Sequence, residues 1–542
     1  MNPFDIFLML LYTFPRICQT TQPVRKSAVD ETNALIYNKN KAMYGKIRKR
    51  RKADMTTAKW DIFEQVFSGP REGNPFAEVS FGATFRCGMR QVPVEGFYDG
   101  EGRYVVRFMP DWEGRWSFVT RSSCPDLDGK TGEFECVAPR TGVHGPVRVT
   151  GADTGKMHTH VPATRLKYAD GKNYMCVGTT CYCWTHQPEA LQQATLDTLK
   201  KGYFNKIRMC VFPKHYEFNH NDPECYPFEG GASGEGYAFD FTRFNPESWR
   251  RLEKRIGQLA DMGIEADLIL FHPYDRWGFS QMSHETDLYY LRYAVARLAA
   301  FRNVWWSFAN EYDLMPAKST QDWDDCFRLV QTLDPAGHLR SIHNCRGFYD
   351  HTKPWVTHCS LQHSDMERVP EWIATYQKPV VIDECCYEGN IPNYWGSISA
   401  EEMVNRMWES LCWGGYAGHG ETYLDPEDVL WWAKGGTLHG KSPERILFLR
   451  KIMESLPADP VFAYERTRVM GLNFGDEEFL YYYGLRQSGY KQFDLPEGKT
   501  YRAEVIDAWN MTVTPVEGTF SGKGARVPMP SRSYCGLRLI AL

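Results

Sequence analysis

Several features are missing from the sequence, and each absence excludes a class. No run is long and apolar enough to span a membrane. The nearest, Ile6-Phe7-Leu8-Met9-Leu10-Leu11-Tyr12, is too short, has no basic segment before it and no small-residue cleavage site after it. No membrane partner is therefore expected, and a cytoplasmic location is. No Cys-x-x-Cys pair occurs among 16 scattered cysteines, and neither Cys181-x-Cys183 nor Cys385-Cys386 matches a common zinc spacing. Cys176, Cys210, Cys359 and Cys385 lie in strand-like apolar runs, where cysteine acts as a small buried hydrophobe. Neither a dinucleotide-binding glycine fingerprint, a phosphate-binding P-loop nor a His-rich metal motif is present, so no cofactor and no metal are expected. The chain also lacks internal repeats.

Excess positive charge is missing from most of the chain. Residues 1–54 carry 11 Lys and Arg against 4 Asp and Glu, whereas the other 488 carry 52 basic and 63 acidic groups. An acidic body argues against nucleic acid as the partner, because phosphate binding needs a basic footprint. The leader ends in Arg48-Lys49-Arg50-Arg51-Lys52, a patch able to meet nucleic acid or anionic lipid. The reading preferred here is an unfolded leader, or an over-long gene start whose true first residue is Met55.

What is present falls into three parts. From Trp60 to about Thr150, short strand patterns alternate with turn residues; the clearest pair, Arg103–Met109 and Arg115–Thr120, flanks Pro110-Asp111-Trp112-Glu113-Gly114. From Tyr174 to about Leu456, apolar strands alternate with helical patterns. Eight strands are expected: Tyr174–Thr180, Lys206–Val211, Glu265–Phe271, Val304–Glu311, Arg340–Asn344, Val356–Gln362, Val380–Glu384 and Gly418–Tyr423. Eight β/α units in about 280 residues predict a (β/α)8 TIM barrel. A doubly wound sheet, the runner-up, would want a glycine-rich turn that Gly178-Thr179-Thr180-Cys181 does not supply. After Pro460 strand patterns return. The expected organisation is a leader (1–54), an Ig-like β-sandwich (55–150), the barrel (151–458) and a second β-sandwich (459–542). The sandwiches are read as buttresses, with homo-oligomer contacts left open.

In such a barrel the active site lies at the C-terminal ends of the strands. The fourth expected strand ends in Asn310-Glu311 and the seventh in Asp383-Glu384, each placing a carboxylate directly after an apolar run. Two carboxyls in one pocket are the equipment of glycoside hydrolysis: one donates a proton to the leaving oxygen, the other attacks the anomeric carbon or activates water. Arg208, near the end of the second strand, is a donor able to keep a carboxylate ionised. His272, His343-Asn344, Gln362-His363 and Glu421 end other strands and are candidates for sugar hydroxyls, with Glu421 the main rival as a catalytic carboxylate. Trp184, Trp277 and Trp395 fall in loops expected to line the mouth and offer apolar platforms for sugar rings. The second β/α loop, Pro213 to about Asn245, is long enough to be a binding element.

Asn310-Glu311 after the fourth strand and Glu384 after the seventh, between two β-rich flanks, resemble the large clan of retaining barrel glycoside hydrolases. The opening Trp60-Asp61-Ile62-Phe63-Glu64, Gly69-Pro70 and Asn74-Pro75-Phe76 bring the resemblance closer to the apiosidase-like family, over about residues 58 to 542. The resemblance implies Glu311 as acid/base, Glu384 as nucleophile and Asn310 as ligand of the hydroxyl beside the anomeric carbon. Aromatic or amide groups are usual around strands six and eight in the clan, so His363 and Glu421 depart from its pattern. The expectation is an exo-acting enzyme that removes a terminal sugar from a plant-derived glycoside or oligosaccharide. The alternatives are an endo-acting glycanase and a non-catalytic carbohydrate-binding protein on the same barrel.

Overall fold

The computed structural model describes residues 55–150, 165–424, 429–457, 461–464 and 470–542; the basic leader lies outside them. At the centre stand eight parallel strands: β1 (Gly178–Thr180), β2 (Lys206–Cys210), β3 (Glu265–Phe271), β4 (Val304–Ala309), β5 (Arg340–Ser341), β6 (Cys359–Gln362), β7 (Val380–Glu384) and β8 (Tyr416–His419). The pairing order is β5-β4-β3-β2-β1-β8-β7-β6, and the parallel bridge His343↔Ser360 joins β5 to β6. This is the expected TIM barrel. Every residue of β2, β3, β4 and β7 is buried. Strands covered on both faces lose the alternation of a half-exposed sheet and read as apolar runs.

The outer layer comprises α1 (Glu189–Leu199), α2 (Pro246–Asp261), α3 (His284–Leu298), α4 (Thr320–Leu333), α5 (Val369–Tyr376), α6 (Ala400–Cys412) and α7 (Ser442–Glu454). Their starts follow local chemistry. Asn245 caps α2 with Pro246 next, Ser283 caps α3, and Ser319 with Asp322 forms a capping box on α4. No helix follows β5. Asn344, Gly347, Asp350 and Pro354 break that segment into turns, and Asp313 gathers the amides of Cys345, Arg346 and Gly347 at 2.6 to 2.9 Å. The long second loop carries a hairpin of its own, Phe228–Ser233 with Gly236–Phe244.

All-β regions flank the barrel. On the N-terminal side a five-stranded and a three-stranded sheet enclose an aromatic core, with Phe63 on Phe134 at 4.0 Å and Phe85 on Phe108 at 4.3 Å. The two clearest strand patterns here do not pair with each other: Arg103–Phe108 joins Phe63–Ser68, whereas Gly114–Ser122 joins Phe81–Cys87. The turn between them crosses from one sheet to the other, because Trp116 is buried in the shared core and its indole N–H donates to the Trp112 carbonyl at 2.9 Å. Val147–Thr150 pairs antiparallel with Arg165–Tyr168, across the boundary expected at residue 150. On the C-terminal side a six-stranded sheet packs Tyr482 on Trp408 of α6, at 5.2 Å between rings.

Candidate active site

All eight β/α loops meet at a cavity of about 850 Å3 on the C-terminal face of the barrel. Its walls include Tyr182 after β1, Lys214 and Phe218 after β2, Tyr274 after β3 and Glu311 after β4. Cys345, Arg346 and Phe348 follow β5, Gln362 and His363 lie at the end of β6, Glu384, Tyr387 and Trp395 belong to β7 and its loop, and Trp432 follows β8. The barrel interior just beneath is ionic. Lys206 lies between Asp267 and Asp383 at 2.7 and 2.5 Å, so these buried charges are paired.

Glu384, the last residue of β7, is 4% exposed. Its Oε1 accepts from the Tyr182 hydroxyl and, at 3.3 Å, from Arg208; His343 Nε2 lies 3.3 Å away. Burial pushes this carboxyl up, but His343, Arg208 and Tyr182 outweigh it and hold it well below the usual carboxylate range. His343 is oriented from behind: its Nδ1 meets Ser360 Oγ at 3.2 Å, and that hydroxyl donates to Asp383 at 2.6 Å.

Glu311 follows β4 by two residues and takes φ +52°, a left-handed backbone uncommon outside glycine. Hydrogen bonds on either side hold it, from Tyr312 N to the His343 carbonyl at 3.0 Å and from Leu314 N to the Glu311 carbonyl at 2.9 Å. Its Oε2 accepts from the Tyr274 hydroxyl and from Asn310 Nδ2 at 3.2 Å, and the Gln362 amide, turned to donate, reaches Oε1 at 3.2 Å. Burial first, then the negative charge of Glu384, push the Glu311 carboxyl up against the pull of Lys214, Tyr274 and His343. The two carboxyls are thus driven apart, one toward carrying a proton and one toward ionisation. Asn310 spans them: its Oδ1 accepts from Arg208 at 3.0 Å and lies 3.2 Å from the Tyr182 hydroxyl, while its amide donates to Glu311.

Of the residues singled out from sequence, Glu311, Glu384, Asn310, Arg208 and His343 converge here, and His363 and Trp395 line the mouth. Trp184 does not. It sits in a short turn after β1 and is fully buried in the core, because the chain folds back beneath Gly435 rather than outward. Trp277 is buried too, its indole N–H donating to Asp222 at 2.9 Å among the rings of Tyr226, Tyr237 and Phe279. His272 faces the Phe212 carbonyl at 3.3 Å beneath the cavity, where burial and then Lys214 lower its pKa to about 4.

Glu421 is not a rival carboxylate. Its oxygens accept the amides of His439 and Gly440 at 2.6 and 2.8 Å, beside Glu388, which accepts those of Lys441 and Ser442. Together the two carboxylates tie down the segment entering α7. Reasoning from sequence missed Tyr182, Tyr274, Lys214 and Trp432. Tyr182 and Tyr274 lie two and three residues past strand ends, so proximity to a strand end was the available signal.

A TIM barrel with two buried carboxyls whose pKa values are pushed in opposite directions at its C-terminal mouth defines a glycoside hydrolase. The model for "Apiosidase-like, catalytic domain" matches residues 163–457, and the chain belongs to that family. Two domains of unknown function flank it, DUF5060 at residues 56–123 and DUF5605 at 467–540. A protein of Bacteroides vulgatus ATCC 8482, described as a candidate glycoside hydrolase, is 39% identical over 90% of this chain and all of its own, with a TM-score of 0.84. A second solved glycoside hydrolase shares the fold at 14% identity and a TM-score of 0.53, over 73% of this chain and 97% of its own. No curated protein matches the chain.

Proposed function

We propose that the enzyme is an exo-acting, retaining glycoside hydrolase that releases a terminal sugar from a plant-derived glycoside or oligosaccharide by double displacement. The observation that carries this reading is the opposed pair in one cavity. Glu384, buried and ionised, attacks the anomeric carbon while Glu311 hands its proton to the leaving oxygen. A glycosyl ester forms on Glu384 as the glycosidic C–O bond breaks. Glu311, now ionised, takes a proton from water, which cleaves the ester and returns both groups to their starting states. Asn310, bonded to both machineries, is placed to hold the hydroxyl beside the reacting carbon. Exo action is supported by walls drawn from all eight loops, which favour a pocket over a groove open at both ends. The family description adds a pull toward apiosides and other pentosides.

The test is a screen of nitrophenyl glycosides, pentofuranosides included, with the product anomer followed by NMR. Retention is expected, and an inverted first product sinks the double displacement. Glu384→Ala should abolish turnover, whereas Glu311→Ala should spare substrates with very good leaving groups. Near-normal activity of Glu384→Ala on such a substrate would end its assignment as nucleophile.

A further inference from the structure

Lys214 pulls on the Glu311 carboxyl through space, but the mechanism above gives its ammonium no contact with the sugar. It follows β2 by four residues, is 2% exposed and lines the cavity. Its ammonium lies 3.4 Å from the centre of the Tyr182 ring, 4.1 Å from Tyr274, 4.5 Å from Tyr216 and 5.6 Å from Trp432. Among the described residues no acceptor lies within hydrogen-bond distance of Nζ, although its charge acts on Glu311 and Glu384 across the cavity. The backbone is fixed on both sides: the Lys214 carbonyl accepts from Asn219 Nδ2 at 2.6 Å, and His215 N donates to the Tyr274 carbonyl at 2.9 Å. Two of the four rings belong to the tyrosines whose hydroxyls hold Glu384 and Glu311.

The stem of Lys214 is buried, and its ammonium meets ring faces on one side and the cavity on the other; ring faces compensate only in part for the water such a charge gives up. An ammonium carries three N–H donors, and ring faces leave them without the lone pairs they fit. A lysine that only packed the core would be better replaced by methionine. The cost is understandable where an acceptor arrives with the substrate, and the catalytic carboxyls place the reacting sugar beside this group.

We propose that Lys214 is a specificity-determining residue, donating hydrogen bonds to oxygen substituents of the sugar held between Glu311 and Glu384. This rests on the glycosidase reading of the cavity. It selects sugars that carry an oxygen within reach of Nζ and rejects analogues that lack it, because such an analogue would displace water from the ammonium and supply no acceptor in its place.

Binding of free monosaccharides, pentoses included, to the full chain tests this without turnover, so the result is separable from failure of the hydrolytic mechanism. The wild type, Lys214→Met and Lys214→Gln are compared by calorimetry and thermal melting. At least one of these sugars should bind the wild type, and Lys214→Met should bind it about ten- to hundredfold more weakly, as for loss of a hydrogen bond from a charged donor. A wild type that bound no pentose or hexose would count against the assignment. Lys214→Gln, which keeps an N–H donor, should recover part of the loss. The Lys214→Met melting temperature in the absence of sugar should equal or exceed that of the wild type, as when a functional residue costs stability. Unchanged sugar affinity in a folded Lys214→Met, or a lowered melting temperature with affinity intact in Lys214→Gln, would overturn the assignment.

Discussion

Glu384 and Glu311 have the same side chain, and their neighbours give them different work. Tyr182 is informative because its hydroxyl touches both Glu384 and Asn310. Removing it leaves Glu384 with His343 and Arg208 but deletes one donor that lowers its pKa. A nucleophile must be ionised, so activity falls as pH drops through the Glu384 pKa. In Tyr182→Phe that acidic limb of kcat/KM should move to higher pH, and the plateau should fall by about ten- to hundredfold, as for other lost hydrogen bonds to a charged group. A fallen plateau with an unmoved limb would show that Tyr182 positions the sugar and leaves the carboxylate untuned. The carboxylates were legible in the sequence because each directly follows an apolar strand. Tyr182, Tyr274 and Lys214 were not, since one aromatic or basic residue in a loop has no periodicity to mark it. Trp184 shows the converse error: a tryptophan just past a strand end reads as a platform, and packing beneath the rim decides otherwise.

At the level of elements, β2, β3, β4 and β7 were readable because burial on both faces demands continuous apolar runs, and β3 and β7 end where the sequence puts them. β8 instead runs Tyr416–His419, not the expected Gly418–Tyr423, and β1 and β5 keep only Gly178–Thr180 and Arg340–Ser341 of the longer runs expected. The missing helix after β5 and the hairpin in the second loop were harder to read, since turn residues mark a break without saying what fills it. β3 also holds a polar residue whose burial has a measurable consequence. Glu265, at its start, is 4% exposed and accepts from Trp305 Nε1 at 2.9 Å, and burial raises its pKa to about 8 despite that bond. The folded state therefore keeps a proton that the unfolded chain releases near pH 4.3. Stability from this group is full below that pH and is lost as pH rises toward about 8. At about 1.4 kcal/mol per unit the loss is of the order of several kcal/mol. Glu265→Gln, which keeps a neutral acceptor for Trp305, should match the wild type near pH 5 and exceed it near pH 8 in chemical denaturation. Parallel curves for the two proteins across that range would refute the burial argument.

Across the molecule, the all-β region at the N-terminal side meets the barrel through a buried charge cluster as well as through apolar contact. Arg297 of α3 is fully buried, with Asp99 at 2.9 Å and Glu253 of α2 at 2.5 Å; Arg107 joins from the sheet at 2.8 Å to Glu253 and donates to the Arg297 carbonyl at 2.9 Å. Asp99 and Arg107 come from the flanking region, Glu253 and Arg297 from barrel helices, so the cluster exists only when the two are docked. Desolvating four charges is expensive, and a full set of partners offsets that cost without guaranteeing net stability. Removing one member differs from removing all. Arg297→Ala removes the cluster's one fully buried cation and leaves Asp99 with the part-exposed Arg250 and Arg103 and Glu253 with Arg107. It should therefore cost less than the about 3 to 5 kcal/mol of a wholly uncompensated buried charge, whereas a well-packed apolar replacement of the whole cluster should cost least. The loss should fall on docking before it reaches either core, because most of the flank's aromatic core is a buried cluster of its own, and among the described buried residues only Phe97, Val105 and Val147 reach from the flank into the barrel's. Scanning calorimetry should therefore turn one unfolding transition in the wild type into two in Arg297→Ala, the earlier one belonging to the flank. The active cavity is lined by loops at the C-terminal face and by none of these four residues. Activity below the first transition should thus survive in Arg297→Ala. A single transition shifted downward as a whole would instead mean that flank and barrel unfold as one unit and that the cluster stabilises a common core.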